Sequence, residues 1–291
     1  MQYKIDELAF LVHPRSPHRK IFAMIEAYLD ESGIHDGAKV CMVAGYFGGL
    51  SQLRKLEQKW KSVLEDFDFP MKDFHAKELV DSRKHQPMLL ELGKAIGEQR
   101  KVYPISWGVV PNDFLSFPEK HRRFLTGARM MLDGEIRGTG CPNKPYFVPF
   151  QNIVRAITDA APVGGKAHFF FGCDRPFSGY AMELWKQLQV ESMENVEKQK
   201  PWNTWHSRDR LGMPSFPLAS ETAQLQAADL LVHLTYRHML EWEKTGKVEN
   251  PSDLLGLCLT NMRARADHVY QNKESFDNIL EQCKEIAPGL E

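Results

Sequence analysis

Long apolar runs are missing from this 291-residue chain, and no uncharged hydrophobic stretch approaches the roughly 18 residues that a bilayer span requires. The first twenty residues mix acids, Pro14, Pro17 and Arg/Lys, which is not the pattern of a secretion signal. A cytoplasmic protein with no membrane partner is the expectation. Cysteine is scarce as well. The five residues at 41, 141, 173, 258 and 283 are odd in number, scattered and without a CxxC pair, which argues against a disulfide framework or a zinc knuckle. An excess of charge of either sign is also lacking. The net charge of -1 provides no global basic field, so a nucleic-acid partner has to meet a local patch or a bound cation. Finally, GxSxG, HExxH, a Walker loop and GxGxxG are all absent, which removes the usual sequence cues for serine hydrolases, zincins, P-loop enzymes and dinucleotide binders.

What is present is ordinary globular material, 43% hydrophobic and 26% charged, enough to bury a real core. From Ile21 a strand-like run leads into Asp30-Glu31-Ser32-Gly33, and Val40–Phe47 is apolar enough for a central strand closed by the glycines at 48 and 49. The two strands predict a hairpin. Leu53, Leu56, Trp60, Val63 and Leu64 then recur at helical spacing, with Glu57 and Lys61 as an i,i+4 pair on the polar side. A second helix is predicted over 86–99, followed by a strand over 102–110 whose Pro104 places it at a sheet edge or starts it late. Residues 112–160 read as a helical insertion or layer, with helices around FLTGARMMLDGEI and PFQNIVRAITDA. Beyond it, HFFFGCD at 168–174 is a strand ending in an acid and followed by a helix. A short strand is predicted near Phe216–Leu218, a strong helix over Thr222–Trp242, and one or two helices within 252–285. The organisation expected is an N-terminal extension at 1–20, one domain at 21–245, and a helical tail at 246–291 packed on that domain.

Two apolar strands ending in acids, Asp30 and Asp174, are the most informative features, because open α/β sheets gather their sites at strand ends. Several carboxylates meeting at one point suit a hard cation such as Mg²⁺ or Mn²⁺. A turn or helix cap is the competing reading of each acid taken alone. Asp229 falls on the apolar helix ETAQLQAADLLVHL near Gln226 and Leu225, where the small alanines permit close approach to the sheet. His75, flanked by Asp73 and Glu78, reads either as a general base or metal neighbour or as a loop histidine bonded to backbone. Arg175 could meet a phosphate or pair with a carboxylate. The Lys/Arg/Trp-rich stretch at 198–210, with Lys200, Trp202, Trp205 and Arg208, offers cations for phosphates and indoles for stacking on bases, or else forms a surface loop.

AYLDESG at 27–33, DFHAKEL at 73–79, the acid of FFFGCDRP and SETAQLQAADLL at 220–231 together resemble the prokaryotic family called domain of unknown function 3800. The resemblance runs from about residue 24 to 240. It implies a ribonuclease-H-like α/β fold, a mixed sheet flanked by helices, and a metal-dependent nuclease acting on DNA or RNA. Asp30, Asp174 and Asp229 then correspond to the acidic, metal-binding centre and His75 to the histidine of the F-H-A segment, with Glu31, Ser32, Glu78 and Gln226 in supporting places. Where the family often carries an acid before the serine of its last strand, this chain has Ala219 before Ser220, leaving Glu221 as the replacement. Two other readings stay open: an inactive nucleic-acid- or protein-binding module on the same fold, and a small-molecule phosphoesterase. The uncovered segments 112–160 and beyond 245 are candidates for substrate choice or for a homodimer contact.

Overall fold

A computed structural model describes residues 24–35, 37–127, 129–132, 135–138, 143–172, 175–190, 207–247, 250–263 and 268–284. Its centre is a six-stranded mixed sheet. Strand β1 (Met24–Ser32) pairs antiparallel with β2 (Cys41–Gly49), and β2 pairs antiparallel with β3 (Val102–Val109). On the other side of β1 lies β6 (Lys166–Phe171), parallel to it, and beyond that β7 (Leu211–Ser215). A four-residue strand, β8 (His268–Gln271), runs parallel to β3 and completes the order β7-β6-β1-β2-β3-β8.

Helices cover both faces, so the central strands are apolar on both sides and β2 is buried at eight of its nine positions. One face carries α1 (Leu50–Asp66), α2 (Ala76–Leu79), α3 (Gln86–Gly97), α8 (Ala223–Thr245) and α9 (Asp253–Cys258). The other carries α4 (Pro111–Leu115), α5 (Glu119–Leu125), α6 (Phe147–Ala160), α7 (Arg175–Val190) and α10 (Lys273–Lys284). Strand alternation divides β1 between the two cores: Ala27 and Leu29 join the second, Tyr28 the first. No helix among the described residues is long and apolar enough to cross a membrane.

The α/β class, the β1–β2 hairpin and the helices at 50–66, 86–97 and 223–245 agree with the sequence expectation. Four details differ. Gly48 and Gly49 lie inside β2 rather than closing it, where Gly48 lets the Lys101 carbonyl come within 2.6 Å of where its Cβ would stand. The helix expected over FLTGARMMLDGEI stops at Leu125, because Gly127 turns left-handed at φ 71°. Met130–Leu132 then pair with Glu135–Arg137 in a hairpin of β4 (Arg129–Leu132) and β5 (Glu135–Gly138). The intervening Asp133-Gly134 is a strong hairpin dipeptide, though it lies outside the described residues. Within 112–160, α6 packs across β2 and β3 as a layer and supplies the middle of one core. Strand β7 precedes the expected Phe216–Leu218, and the C-terminal segment contributes β8 as well as helices. Pro104 is explained by the short reach of β8, which pairs only with Ser106–Val109 and leaves the Pro104 half of β3 open. The N-terminal extension lies outside the described residues.

Candidate functional site

Asp30 belongs to β1, not to the loop after it, so alternation decides its direction. It shares the α8 face with Tyr28, while Glu31 points to the opposite core. There Glu31 adds its charge to the burial that pushes the Cys41 thiol up to about 12. Ser32 returns to the Asp30 side. Parallel pairing sets Leu29 beside Phe171, and the next amide, Gly172 N–H, donates to the Leu29 carbonyl at 3.1 Å. A Cβ on Gly172 would stand 2.6 Å from Asp30 Oδ1, so the bare glycine is what gives the carboxylate its place. Burial and, second, the negative charge of Asp229 push the Asp30 carboxyl up to about 7, against a hydrogen bond from the Glu31 backbone that pulls it down.

Asp229 reaches this point from α8. The fully buried Ala227 and Ala228 add little bulk on either side of the helix, which packs against β1 and β2. Its Oδ2 accepts the Ala76 backbone N–H at 2.8 Å and lies 3.2 Å from His75 Nδ1. The first N–H groups of a helix have no partner within it, and here a carboxylate from a distant helix supplies one to α2. The His75 ring itself is 56% exposed, with Nδ1 directed at Asp229. A histidine so fixed holds one ring nitrogen on the carboxylate and keeps the other for proton exchange.

Gln226 positions this corner without touching it. Buried to 1% exposure, it accepts from Trp60 Nε1 at 3.0 Å and donates to the Met71 carbonyl at 2.6 Å, tying α1 and α8 to the turn that delivers His75. Gln226→Leu leaves an indole N–H and a carbonyl without partners. At ~1–3 kcal/mol for each orphaned group, a loss of about 2–6 kcal/mol is expected, read as a lowered urea midpoint at unchanged slope.

Other residues are placed apart. Glu78 and Asp73 are solvent-facing, and Glu221 is exposed in a 3-10 turn that ends before α8 begins at Ala223. Arg175 opens α7 and Arg208 a 3-10 turn, but their side chains lie outside what is described. Asp174, Lys200, Trp202 and Trp205 fall outside the described residues altogether.

No protein-family model, curated protein or solved structure matches this chain. The site's chemistry therefore rests on its own geometry. Among the described residues no group of three or more His, Cys, Asp or Glu side chains is gathered to hold a metal ion. Asp30 and Asp229 form a like-charged pair with His75 at one side, and Asp174 follows Gly172 by two residues. Two residues that sequence reading passed over belong to the same neighbourhood. His233 has Arg237, Asp229, Asp81 and His75 as its charged neighbours, and Arg237 Nη1 pairs with Asp81 Oδ1 at 2.5 Å. Their i+4 and i+8 spacing from Asp229 is the signal that identifies them.

Proposed function

We propose that this chain is a divalent-metal-dependent nuclease of ribonuclease-H-like build, hydrolysing phosphodiester bonds in DNA or RNA in the cytoplasm. The observation that carries this reading is the Asp30–Asp229 pair at the C-terminal end of β1, where burial first and the charge of Asp229 second push the Asp30 carboxyl toward neutrality. A like-charged pair held partly out of water is relieved by a proton or by a cation, and Mg²⁺ or Mn²⁺ is the cation that carboxylate oxygens suit. The antiparallel β1–β2–β3 meander with β6 and β7 added in parallel beside β1 is the kind of mixed sheet a ribonuclease-H-like reading calls for.

Asp30 and Asp229, with Asp174 three residues after β6 in the sequence, are the residues that would hold the metal. Bound there, it supplies Lewis acidity toward a phosphodiester oxygen. The protein's own part is to fix that oxygen against His75, whose outer ring nitrogen exchanges the proton while Asp229 holds the inner one. Cleavage of labelled DNA and RNA oligonucleotides with Mg²⁺ or Mn²⁺ against a chelator control is the direct test. Metal-independent cleavage, or none with either ion, overturns the proposal.

Gly172→Ala probes the pair directly, because among the described residues the new methyl meets only the movable end of the Asp30 side chain. The expected result is Mn²⁺ binding weakened by roughly 10–100-fold, the scale of disturbing ligand orientation. Calorimetric titration measures it, and a melting temperature close to that of the parent confirms that the fold is intact.

A further inference from the structure

Helix α8 does not stop at the metal-side carboxylate. It continues past the end of β1, where Tyr236 comes within 2.8 Å of where a Cβ of Gly33 would stand. The segment 75–81 runs alongside it. Ala76 N–H meets Asp229 at one end of this seam, Arg237 meets Asp81 at the other, and His233 lies between them. Asp229, His233 and Arg237 are spaced i, i+4 and i+8, so they line one face in steps of about 6 Å. A step of that size is comparable to one repeat of an extended nucleotide strand.

The polar groups of this seam are incompletely used. His233 Nε2 is out of solvent and has no hydrogen-bond partner among the described residues. Arg237 is 46% exposed, and its partner Asp81 is 72% exposed. Exposed pairs of this kind contribute little to stability and exchange readily for a stronger acceptor, and a guanidinium binds phosphate oxygens particularly well. The other charged groups facing His233 are Asp229 and His75 at the proposed cleavage centre.

From this placement we infer that Arg237, two such steps from Asp229 and backed by His233, is a subsite for a phosphate two repeats along the strand from the scissile one. The substrate is accordingly a polynucleotide strand, not a mononucleotide or small phosphodiester, and Asp81 is the built-in competitor that occupies Arg237 when no strand is bound. This rests on the nuclease reading for the position of the scissile phosphate.

The test compares Arg237→Gln with Asp81→Asn, using a labelled single-stranded oligonucleotide and bis(p-nitrophenyl) phosphate as substrates with Mn²⁺. If the pair is only structural, both variants break it and both change activity alike. If Arg237 holds a phosphate, they move in opposite directions. The ratio of oligonucleotide to small-diester kcat/KM falls roughly tenfold in Arg237→Gln and rises in Asp81→Asn, and the salt dependence of strand binding weakens by about one phosphate contact in Arg237→Gln. Equal changes in the two variants, or a ratio unmoved by either, overturn the subsite. Should the protein cleave neither substrate, the nuclease reading fails, while fluorescence anisotropy of the same oligonucleotide still decides the subsite: opposite shifts in affinity support it, and equal shifts or no binding reject it.

Discussion

Asp30→Asn is expected to abolish metal-dependent cleavage, by roughly 10³-fold or more, and at the same time to stabilise the protein at alkaline pH. The activity loss follows from removing a charged ligand; deleting even a neutral donor to transition-state charge lowers rates by about 10²–10³. The stability gain follows from the environment of the carboxyl. In the folded chain Asp30 titrates at about 7, raised by burial and by Asp229 from an ordinary value near 3.8. Between about pH 4 and 7 the native state therefore binds a proton that the unfolded chain has released, and stability falls as pH rises through that window. The loss is at most about 4 kcal/mol, from ~1.4 kcal/mol for each pKa unit. Asparagine carries no charge to release, so the variant lacks this decline. Urea midpoints at pH 4.5 and 8 should thus converge with the parent at the acid end and exceed it at the alkaline end. Mn²⁺ at pH 8 should raise the melting temperature of the parent and not of the variant. A variant that loses activity but shows the same pH profile as the parent would mean that Asp30 is not the titrating member of the pair.

The second large effect concerns the glycine of the same tetrapeptide. Gly33→Ala is expected to destabilise the fold by about 3 kcal/mol or more. At φ 72° Gly33 sits in the left-handed region, where a Cβ costs roughly 1–2 kcal/mol. That Cβ would also lie 1.9 Å from the Val40 carbonyl oxygen, a backbone atom that cannot turn aside, and 2.8 Å from the Tyr236 ring. Relief requires the entry to β2 and the overhanging turn of α8 to move apart. Chemical denaturation measures the loss, and Gly37→Ala is a fitting control: Gly37 has a similarly positive φ of 83° but nothing within 4 Å of its Cβ position. The difference between the two variants isolates the steric part.

These residues also show what could be read from sequence. β1, β2 and α8 were legible because burial on both faces, or along one wide face, writes an apolar pattern longer than the noise. Asp30, Asp229 and His75 stood out because acids and a histidine in such surroundings demand a partner. β8 was not legible: His-Val-Tyr-Gln is four residues with polar ends, and it becomes a strand only because Ser106–Val109 offers it an edge. Its anchors are long-range, Tyr270 OH donating to Glu243 at 2.7 Å and His268 bonded to Ser106. The β4–β5 hairpin was hidden for a different reason, since Met130, Met131, Leu132 and Ile136 fit helical spacing as well as a pairing. Arg237 and His233 escaped notice because each is unexceptional on a helix, and their partners lie some 150 residues earlier, at 75–81.

The open half of β3 has one more consequence. An unpaired strand edge is a template for another chain, and among the described residues no strand pairs with Val102–Ile105 on the β8 side of β3 or with the outer side of β7. Each contains a proline, Pro104 in the first and Pro214 in the second. A missing donor in the middle of a short edge spoils the ladder that an added strand would need. Pro104 and Pro214 therefore work against the addition of a strand at these two places, the device by which sheet edges are kept from pairing with one another.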